Sequence, residues 1–251
     1  MPDLNDLRIN IFADGADFES LISLSRRPYI RGFTTNPSLM RKANVADYEV
    51  FARKVLAAIV DKPVSLEVFA DDFVEMKAQA LTIAGWGPNV NVKVPVTNTQ
   101  GRFSGDLIQE LCAEEVIVNV TAIFTLDQIR NVAALLNPKV PAIVSVFAGR
   151  IADTGVDPVP LMREAKAILS GLPKAQLLWA SPREVLNLFQ ADEAGCDIVT
   201  VTSDILNKLS FIGKDLAEFS LDTVKMFYND AASSNYKISI SDAVTTALGR
   251  N

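Results

Sequence analysis

The sequence contains no histidine among its 251 residues. This absence excludes Ser-His-Asp and Cys-His catalysis and the zinc sites that rely on imidazole ligands. If the chain is an enzyme, its chemistry must come from Lys, Asp, Glu, Tyr or a cofactor. Neither a Gly-x-Gly-x-x-Gly fingerprint nor a Walker A motif is present, so nothing predicts a nucleotide cofactor.

Cysteines are few, long apolar runs are lacking, and acidic residues outnumber basic ones. The two cysteines, Cys112 and Cys196, have no metal-like spacing and are interpreted as reduced thiols of a cytoplasmic protein. No uncharged apolar run approaches ~18 residues, and the start lacks the pattern of a secretory signal, so no membrane partner is predicted. A net charge of -6 and a pI near 4.8 argue against nucleic acid as a partner.

The chain instead alternates strand and helix patterns with short connections. Strands are predicted at 8–14, 32–36, 64–70, 90–95, 116–122, 142–148, 176–181 and 197–203. Helices are predicted at 16–26, 46–60, 71–84, 104–113, 125–136, 158–170, 182–194 and 204–212. Eight such units predict an α/β protein with a (β/α)8 TIM barrel. A doubly wound open sheet is the alternative, but no Gly-rich nucleotide turn follows the first strand.

One domain is expected over residues 1–251, with the barrel in 1–212 and a C-terminal helix and tail in 213–251. The extra helix is an amphipathic pattern near 215–230, and the segment AASSNYKISI after it is predicted to be loosely ordered. This helix either covers its own barrel or a neighbour's, which leaves a homo-oligomer among the expected partners.

The fourth predicted strand, NVNVKVPVT at 89–97, alternates strictly between valine and polar residues. Successive side chains of a strand point to opposite faces, so the valines share one face and Lys93 lies on the other. The neighbouring strands repeat this habit. Closing them into a barrel turns the polar face into the lumen, near the C-terminal strand ends where barrel enzymes hold their active sites.

Lys93 is the central catalytic candidate. Burial disfavours the charged form of a lysine, and a neutral amine attacks a ketone to form a Schiff base that assists cleavage of the adjacent C–C bond. Asp14 and Glu67, at strand ends in the same lumen, provide two carboxylates for the proton transfers. The alternatives are a structural ion pair of Lys93 with either carboxylate and, for Asp14, a cap for the helix starting near Asp17.

A candidate phosphate site follows the late strands. The motif WASPRE at 179–184 predicts a capping box, with Ser181 as the N-cap, Pro182 at the first helical position and Glu184 at the third. A helix N-terminus binds anions, and Arg183 would lie in its first turn. Arg150, after the sixth strand, completes the set. The alternatives are a purely structural cap and solvated surface arginines.

These residues lie in segments that resemble the transaldolase family, which includes classical transaldolases and the shorter fructose-6-phosphate aldolase-like enzymes. The segments are GFTTNPSLM (32–40), VKVPVT (92–97), VTAIFT (120–125), SVFAGRI (145–151) and AGCDIVTVT (194–202). The resemblance implies a (β/α)8 barrel that acts on small-molecule sugar phosphates through a lysine Schiff base, without a metal or an organic cofactor.

The resemblance also implies roles for individual residues. Lys93 corresponds to the Schiff-base lysine, Asp14 to an acid/base aspartate, and Glu67 to a glutamate that works through a water. The threonine that holds this water corresponds to Thr121. The residues that contact the substrate correspond to Asn36, Asn119, Ser145 and Phe147, and those that bind its phosphate to Arg150, Ser181 and Arg183.

Glu67 and Phe147 distinguish two branches of this family, because the aldolase-like branch tends to have Gln and Tyr there. A phenol near the intermediate would protonate it and release free ketone, whereas phenylalanine cannot. We therefore expect transfer of a dihydroxyacetone unit from a ketose phosphate to an aldose phosphate. The alternatives are an aldolase that releases free dihydroxyacetone and a non-catalytic barrel that binds sugar phosphates. Gly15 and Pro182 depart from the family's usual residues, in loops that line the acceptor end.

Overall fold

Eight parallel strands close into a barrel in the computed structural model, which describes residues 4–239. The strands are β1 Asn10–Asp14, β2 Ile30–Thr34, β3 Val64–Glu67, β4 Val90–Pro95, β5 Val118–Ile123, β6 Ala142–Val146, β7 Ala175–Trp179 and β8 Ile198–Thr202. Each strand pairs with the next and β8 pairs with β1, so the sheet has no open edge. The predicted TIM barrel is confirmed.

Helices follow the strands and cover the outer face of the barrel. In the barrel part these are α1 Phe18–Ser25, α2 Pro37–Lys42, α3 Tyr48–Ala58, α4 Phe73–Ala84, α5 Gly105–Ala113, α6 Leu126–Ala133, α7 Ala148–Ala152, α8 Pro158–Ile168, α9 Leu186–Glu193 and α10 Ser203–Leu206. Short 3-10 turns lie at Leu4–Asp6, Leu169–Gly171 and Asn207–Phe211. Seven of the eight predicted helices are present with ends that differ by a few residues, and the eighth, predicted at 204–212, is the short α10 followed by the 3-10 turn Asn207–Phe211.

The sequence prediction missed the short helices α2 and α7, which directly follow β2 and β6. In α2, Asn36 is the N-cap and accepts a hydrogen bond from the backbone N–H of Leu39, and Pro37 occupies the first helical position. This helix ends the second strand at Thr34 rather than at the predicted residue 36. Asn36 followed by Pro37 is a recognisable helix start, so the strand predicted at 32–36 extends two residues too far.

The outward faces of the strands supply the apolar contact with the helices. Val92, Val94, Val118 and Val120 are fully buried there. Inside the barrel, apolar side chains cluster on the side formed by β6, β7, β8 and β1, although Ser145, Thr200 and Asp14 on these strands are polar. The cluster is Phe12, Ile143, Leu178, Ala180 and Ile198. The polar inward side chains lie mainly along β2 to β6, so the predicted polar lumen occupies part of the barrel rather than its whole circumference.

Gly32 shows how closely the apolar side of the lumen is filled. A Cβ atom at Gly32 would lie 2.5 Å from the ring of Phe12, its register partner on β1. That distance is far below van der Waals contact, so the ring of Phe12 occupies the space that only glycine leaves.

The described residues divide into two compact units, 4–210 and 211–239. The second unit contains the extra helix, α11 Leu216–Ser233, whose N-cap Asp215 accepts hydrogen bonds from two backbone N–H groups. No residue of α11 is buried. The helix runs beyond the predicted residue 230, and the end of the predicted tail lies outside the described residues. The homo-oligomer stays a prediction.

Two further features concern the whole described chain. Both cysteines are buried, and burial raises the pKa of the Cys112 thiol and raises that of Cys196 to about 12. None of the helices among residues 4–239 is long and apolar enough to cross a bilayer.

Candidate active site

A cavity of about 290 Å³ opens at the C-terminal ends of the strands. Nine of the eleven predicted site residues line it: Asp14, Asn36, Glu67, Lys93, Thr121, Ser145, Phe147, Arg150 and Ser181. Asn119 and Arg183 are not among the residues that line it. Strand register explains much of this convergence, because Glu67 pairs with Lys93 and Lys93 pairs with Asn119 across adjacent strands.

Lys93 is buried at the centre of the polar side of the lumen, with 8% of its side chain exposed. Its Nζ donates hydrogen bonds to Glu67 Oε2 at 2.8 Å and to the carbonyl oxygen of Thr35 at 2.9 Å. The ion pair considered as an alternative is therefore present, with Glu67 and not with Asp14. Because an amine must lose a proton before it attacks a carbonyl, Glu67 is also the proton acceptor within reach.

Asp14 ends β1 and lines the same cavity as the Glu67–Lys93 pair. Burial raises the pKa of its carboxyl, and the positive charge of Lys93 and the hydrogen bond from Thr34 oppose this rise. The Thr34 hydroxyl donates to Asp14 Oδ1 at 2.7 Å. The alternative role of Asp14 as a helix cap is wrong, because Asp17 caps α1 by accepting from the Ser20 N–H.

Asn119 supports the cavity floor in this structure. It is fully buried. Its Nδ2 donates to Ser65 Oγ at 3.1 Å, and its Oδ1 accepts from Ser145 Oγ at 2.6 Å. This network fixes the Ser145 hydroxyl, which lines the cavity. A direct contact of Asn119 with substrate stays a prediction.

Thr121 combines a buried hydroxyl with a strained neighbour. Its Oγ1 is buried and has no hydrogen-bond partner among residues 4–239. The next residue, Ala122, has φ of +60°, and the pairing of β5 with β6 shifts at this point, between Val120 and Ile123. A non-glycine residue held in the left-handed region is typical of a site where function requires a particular backbone path. An unpaired hydroxyl beside the cavity is a natural partner for a water molecule.

Phe147 and Arg150 shape the wall after β6. The ring of Phe147 packs edge-on against Phe124 at 5.6 Å, and the Arg150 guanidinium lies 4.9 Å from the Phe147 ring centre. Phe147 is the N-cap of α7, and Arg150 lies within that short helix. The aromatic ring thus fixes the direction in which Arg150 approaches the cavity.

The predicted capping box at 181–184 is wrong. The helix α9 begins at Leu186, and Ser181 has φ of +58° instead of the extended φ of an N-cap. The N–H groups of Arg183 and Glu184 donate to the side chain of Asn187, which keeps them out of the helix. The prediction that Arg183 lies in a first helical turn fails with it.

The positions of Gly149 and Ser181 explain this path. A Cβ atom at Gly149 would lie 1.5 Å from the carbonyl oxygen of Ser181, so the chain after β7 passes directly over α7. Arg183 then points away from the cavity lining and forms a two-point ion pair with Asp153. The pKa of Asp153 is lowered by this hydrogen bond and by the charge of Arg150.

Sequence reasoning did not assign roles to Thr34, Thr200 or Tyr48. Thr34 and Thr200 line the cavity, and the inward face of their strands was the signal available for them. Tyr48 lies on α3, and its hydroxyl donates to the backbone carbonyl of Glu67 at 3.0 Å. Burial raises the pKa of Tyr48, which keeps it a donor. No sequence pattern predicts a helix residue that supports a strand backbone in this way.

Comparisons with known proteins identify the family of the chain. The family model described as Transaldolase/Fructose-6-phosphate aldolase matches residues 11–248. A "Probable transaldolase" of Dehalococcoides mccartyi is 34% identical over 203 residues, which cover 80% of this chain and 90% of that protein. A "Probable transaldolase 2" of Listeria monocytogenes is 35% identical over 204 residues, with 80% and 88% covered. A "Probable transaldolase" of Phenylobacterium zucineum is 35% identical over 222 residues, with 86% and 97% covered.

The family match extends over most of the chain, and each of the three relatives covers 80% or more of it. The chain belongs to the transaldolase/fructose-6-phosphate aldolase family.

Proposed function

We propose that the protein transfers a dihydroxyacetone unit from a ketose phosphate to an aldose phosphate through a Schiff base on Lys93. The observation that carries the proposal is the buried Lys93 amine, 2.8 Å from Glu67 and in one cavity with Asp14. An isolated buried ion pair seldom adds net stability. A lysine enclosed in this way is therefore better explained by covalent chemistry than by the stability of the fold.

The reaction begins with formation of the Schiff base. Glu67 accepts a proton from the Lys93 ammonium, and the neutral amine attacks the C2 carbonyl of the ketose phosphate. The carbinolamine then loses its hydroxyl as water and becomes an iminium. A water molecule held by the unpaired Thr121 hydroxyl carries protons between Glu67 and the reacting oxygen.

Cleavage follows at the bond between C3 and C4. Asp14 accepts the proton of the C4 hydroxyl, the C3–C4 bond breaks, and its electron pair moves into the iminium to give an enamine on Lys93. The aldose phosphate product leaves. A carboxyl whose pKa is raised by burial is suited to this work, because it accepts a proton readily and still returns it.

The second half-reaction reverses these steps with another aldose phosphate. The enamine carbon attacks the carbonyl carbon of the acceptor, and Asp14 gives its proton to the new hydroxyl. Water then hydrolyses the iminium and regenerates the Lys93 amine. Phe147 beside the cavity has no proton to give to the enamine. This property favours transfer over early release of free dihydroxyacetone, which is the aldolase alternative.

Arg150 and Ser181 are proposed to bind the substrate phosphate at the cavity mouth. Both line the cavity, and their backbone positions are coupled through Gly149. Arg183 reaches the phosphate only by exchanging Asp153 for it, because the two side chains are paired in the present structure. An ion pair that is half exposed contributes little stability, so this exchange is inexpensive.

Replacing Gly149 by alanine tests the phosphate site. The added methyl must displace the Ser181 carbonyl, so we expect KM for a phosphorylated ketose to rise on the order of 10- to 100-fold. The substitution Gly171→Ala is the matched control, because a Cβ atom there meets nothing within 4 Å. Steady-state kinetics of both variants provide the measurement. Equal KM values for Gly149→Ala and Gly171→Ala would contradict the proposed phosphate site.

Borohydride trapping tests the Schiff base itself. The protein is incubated with fructose 6-phosphate and sodium borohydride, and its intact mass is measured before peptide mapping. We expect a covalent adduct on the peptide that contains Lys93, and its absence would refute the proposed mechanism. Without an acceptor, sustained release of free dihydroxyacetone would favour the aldolase alternative. A ligand-bound protein that forms no adduct and consumes no donor would favour the sugar-phosphate-binding alternative.

A further inference from the structure

Two threonines lie on the strands that flank Asp14. Thr34 is on β2 and Thr200 is on β8, and both strands pair directly with β1. The two side chains are buried, with 3% and 5% of their surface exposed, and both line the cavity. The Thr34 hydroxyl lies between two partners, because it contacts both Asp14 Oδ1 and the Thr200 hydroxyl.

The protons of these hydroxyls determine the direction of the hydrogen bonds. An ionised carboxylate only accepts, so the Thr34 hydroxyl must use its single proton toward Asp14. The Thr34 oxygen is then left to accept, and Thr200 is the donor within reach. The hydrogen bonds therefore run in one direction, from Thr200 to Thr34 to Asp14.

We infer that Thr200 is a positioning residue, which holds Thr34 as a hydrogen-bond donor and so keeps Asp14 ready as the base that takes the C4 hydroxyl proton. The inference rests on the proposed function, because it assigns Thr200 to the same step. With Oδ1 occupied by Thr34, the other carboxyl oxygen of Asp14 is the one that receives the proton. Successive hydrogen bonds polarise one another, which strengthens the one that ends on the carboxylate.

Other charged groups also act on Asp14 and must be held constant. The charges of Lys93 on β4 and Glu67 on β3 act on the pKa of Asp14, and Arg150 of α7 lines the same cavity. Asp14 also borders a second cavity, which contains the charged side chains of Asp17, Lys42 and Asp204. The hydroxyl of Thr200 is uncharged, so its removal leaves all of these charges in place.

The substitution Thr200→Val tests the inference, because valine keeps the shape of threonine and removes only the hydroxyl. Without Thr200 as a donor, the Thr34 hydroxyl is no longer directed to Asp14, and the ionised carboxylate loses support. We expect kcat for cleavage of the ketose phosphate to fall about three- to tenfold. We also expect the acid limb of the pH–kcat profile to move to higher pH, because the carboxylate of Asp14 loses support. KM for the ketose phosphate should stay unchanged. The substitution Thr200→Ser keeps the hydroxyl and is expected to restore the wild-type profile.

A second variant and a trapping measurement separate the outcomes. Thr200→Ala removes the hydroxyl without a methyl in its place, and serves if the valine variant is poorly folded. Wild-type pH profiles in both variants would overturn the inference. Borohydride adducts at Lys93 are expected in wild type and in every Thr200 variant, since Lys93 is untouched. A wild-type protein without that adduct would defeat the proposed function, whereas normal adducts with unshifted profiles would defeat only the role of Thr200.

Discussion

Replacing Lys93 by methionine is expected to abolish catalysis, with a loss on the order of 10⁴-fold or more in kcat. Methionine matches the length of the side chain but has no amine, so no Schiff base forms and no adduct is trapped by borohydride. The measurement is donor cleavage together with intact mass after reduction. Lys174→Met is the control, because that lysine is exposed and its Nζ donates a hydrogen bond to the carbonyl oxygen of Lys139, far from the cavity lining.

The same variant has a predicted effect on stability. Glu67 has 18% of its side chain exposed and would lose its ion-pair partner, which we expect to destabilise the protein by roughly 2–3 kcal/mol at neutral pH. The double variant Lys93→Met/Glu67→Gln removes both charges and should recover most of this loss without recovering activity. Trapped adduct in either methionine variant would contradict the assignment of Lys93. An equally unstable double variant would contradict the explanation from the unpaired carboxylate.

Replacing Asp14 by asparagine is expected to lower kcat by about 10²- to 10⁴-fold and to leave Schiff-base formation intact. Asparagine still accepts the hydrogen bond from Thr34 but cannot take the C4 hydroxyl proton. The reaction should therefore stop before cleavage. Mass measurement after borohydride gives a direct test, because the adduct should carry the entire ketose phosphate instead of the three-carbon unit. Three-carbon adduct at the wild-type rate would show that another group removes the proton.

Asp14→Asn should also be more stable than wild type, and the difference between the two should grow as pH rises. The raised pKa means that the folded state holds the Asp14 proton more tightly than the unfolded chain does. At about pH 3 the acid is neutral in both states, and above the raised pKa its ionisation destabilises the fold. Asparagine avoids this penalty, so its melting temperature should exceed that of wild type at neutral pH and match it in acid. Asp61→Asn, which replaces an exposed carboxylate in the connection between α3 and β3, is the control and should show no such gain.

The barrel and much of its site were predictable because both follow from the alternation of side chains between the two faces of a strand. Alternation in β4 and β5 placed Lys93 and Thr121 inside, and the parallel register of a closed sheet brought them together. Neither inference needed a tertiary contact. The Glu67–Lys93 pair follows in the same way, since adjacent strands hold these residues opposite each other.

The parts that sequence could not predict depend on contacts between distant segments. Ser181 satisfies every local rule for an N-cap, yet the packing of its carbonyl against Gly149 imposes another backbone conformation. The direction of Arg183 is set by Asp153, thirty residues earlier in the chain. Neither of these long-range contacts can be inferred from the local sequence around Ser181 and Arg183. The register shift of β5 near Ala122 is a similar case. It belongs to the pairing of β5 with β6, and the residue with positive φ is an alanine, so no glycine indicates it in the sequence.

The burial of Cys112 and Cys196 makes the chain convenient for site-directed labelling. Neither sulfur is accessible, and both thiols stay protonated at neutral pH because burial raises their pKa values. A cysteine introduced on the surface would therefore be the preferred target for a maleimide dye. Fluorescence from that dye would report on loop motions at the barrel mouth without first stripping the native thiols from the core.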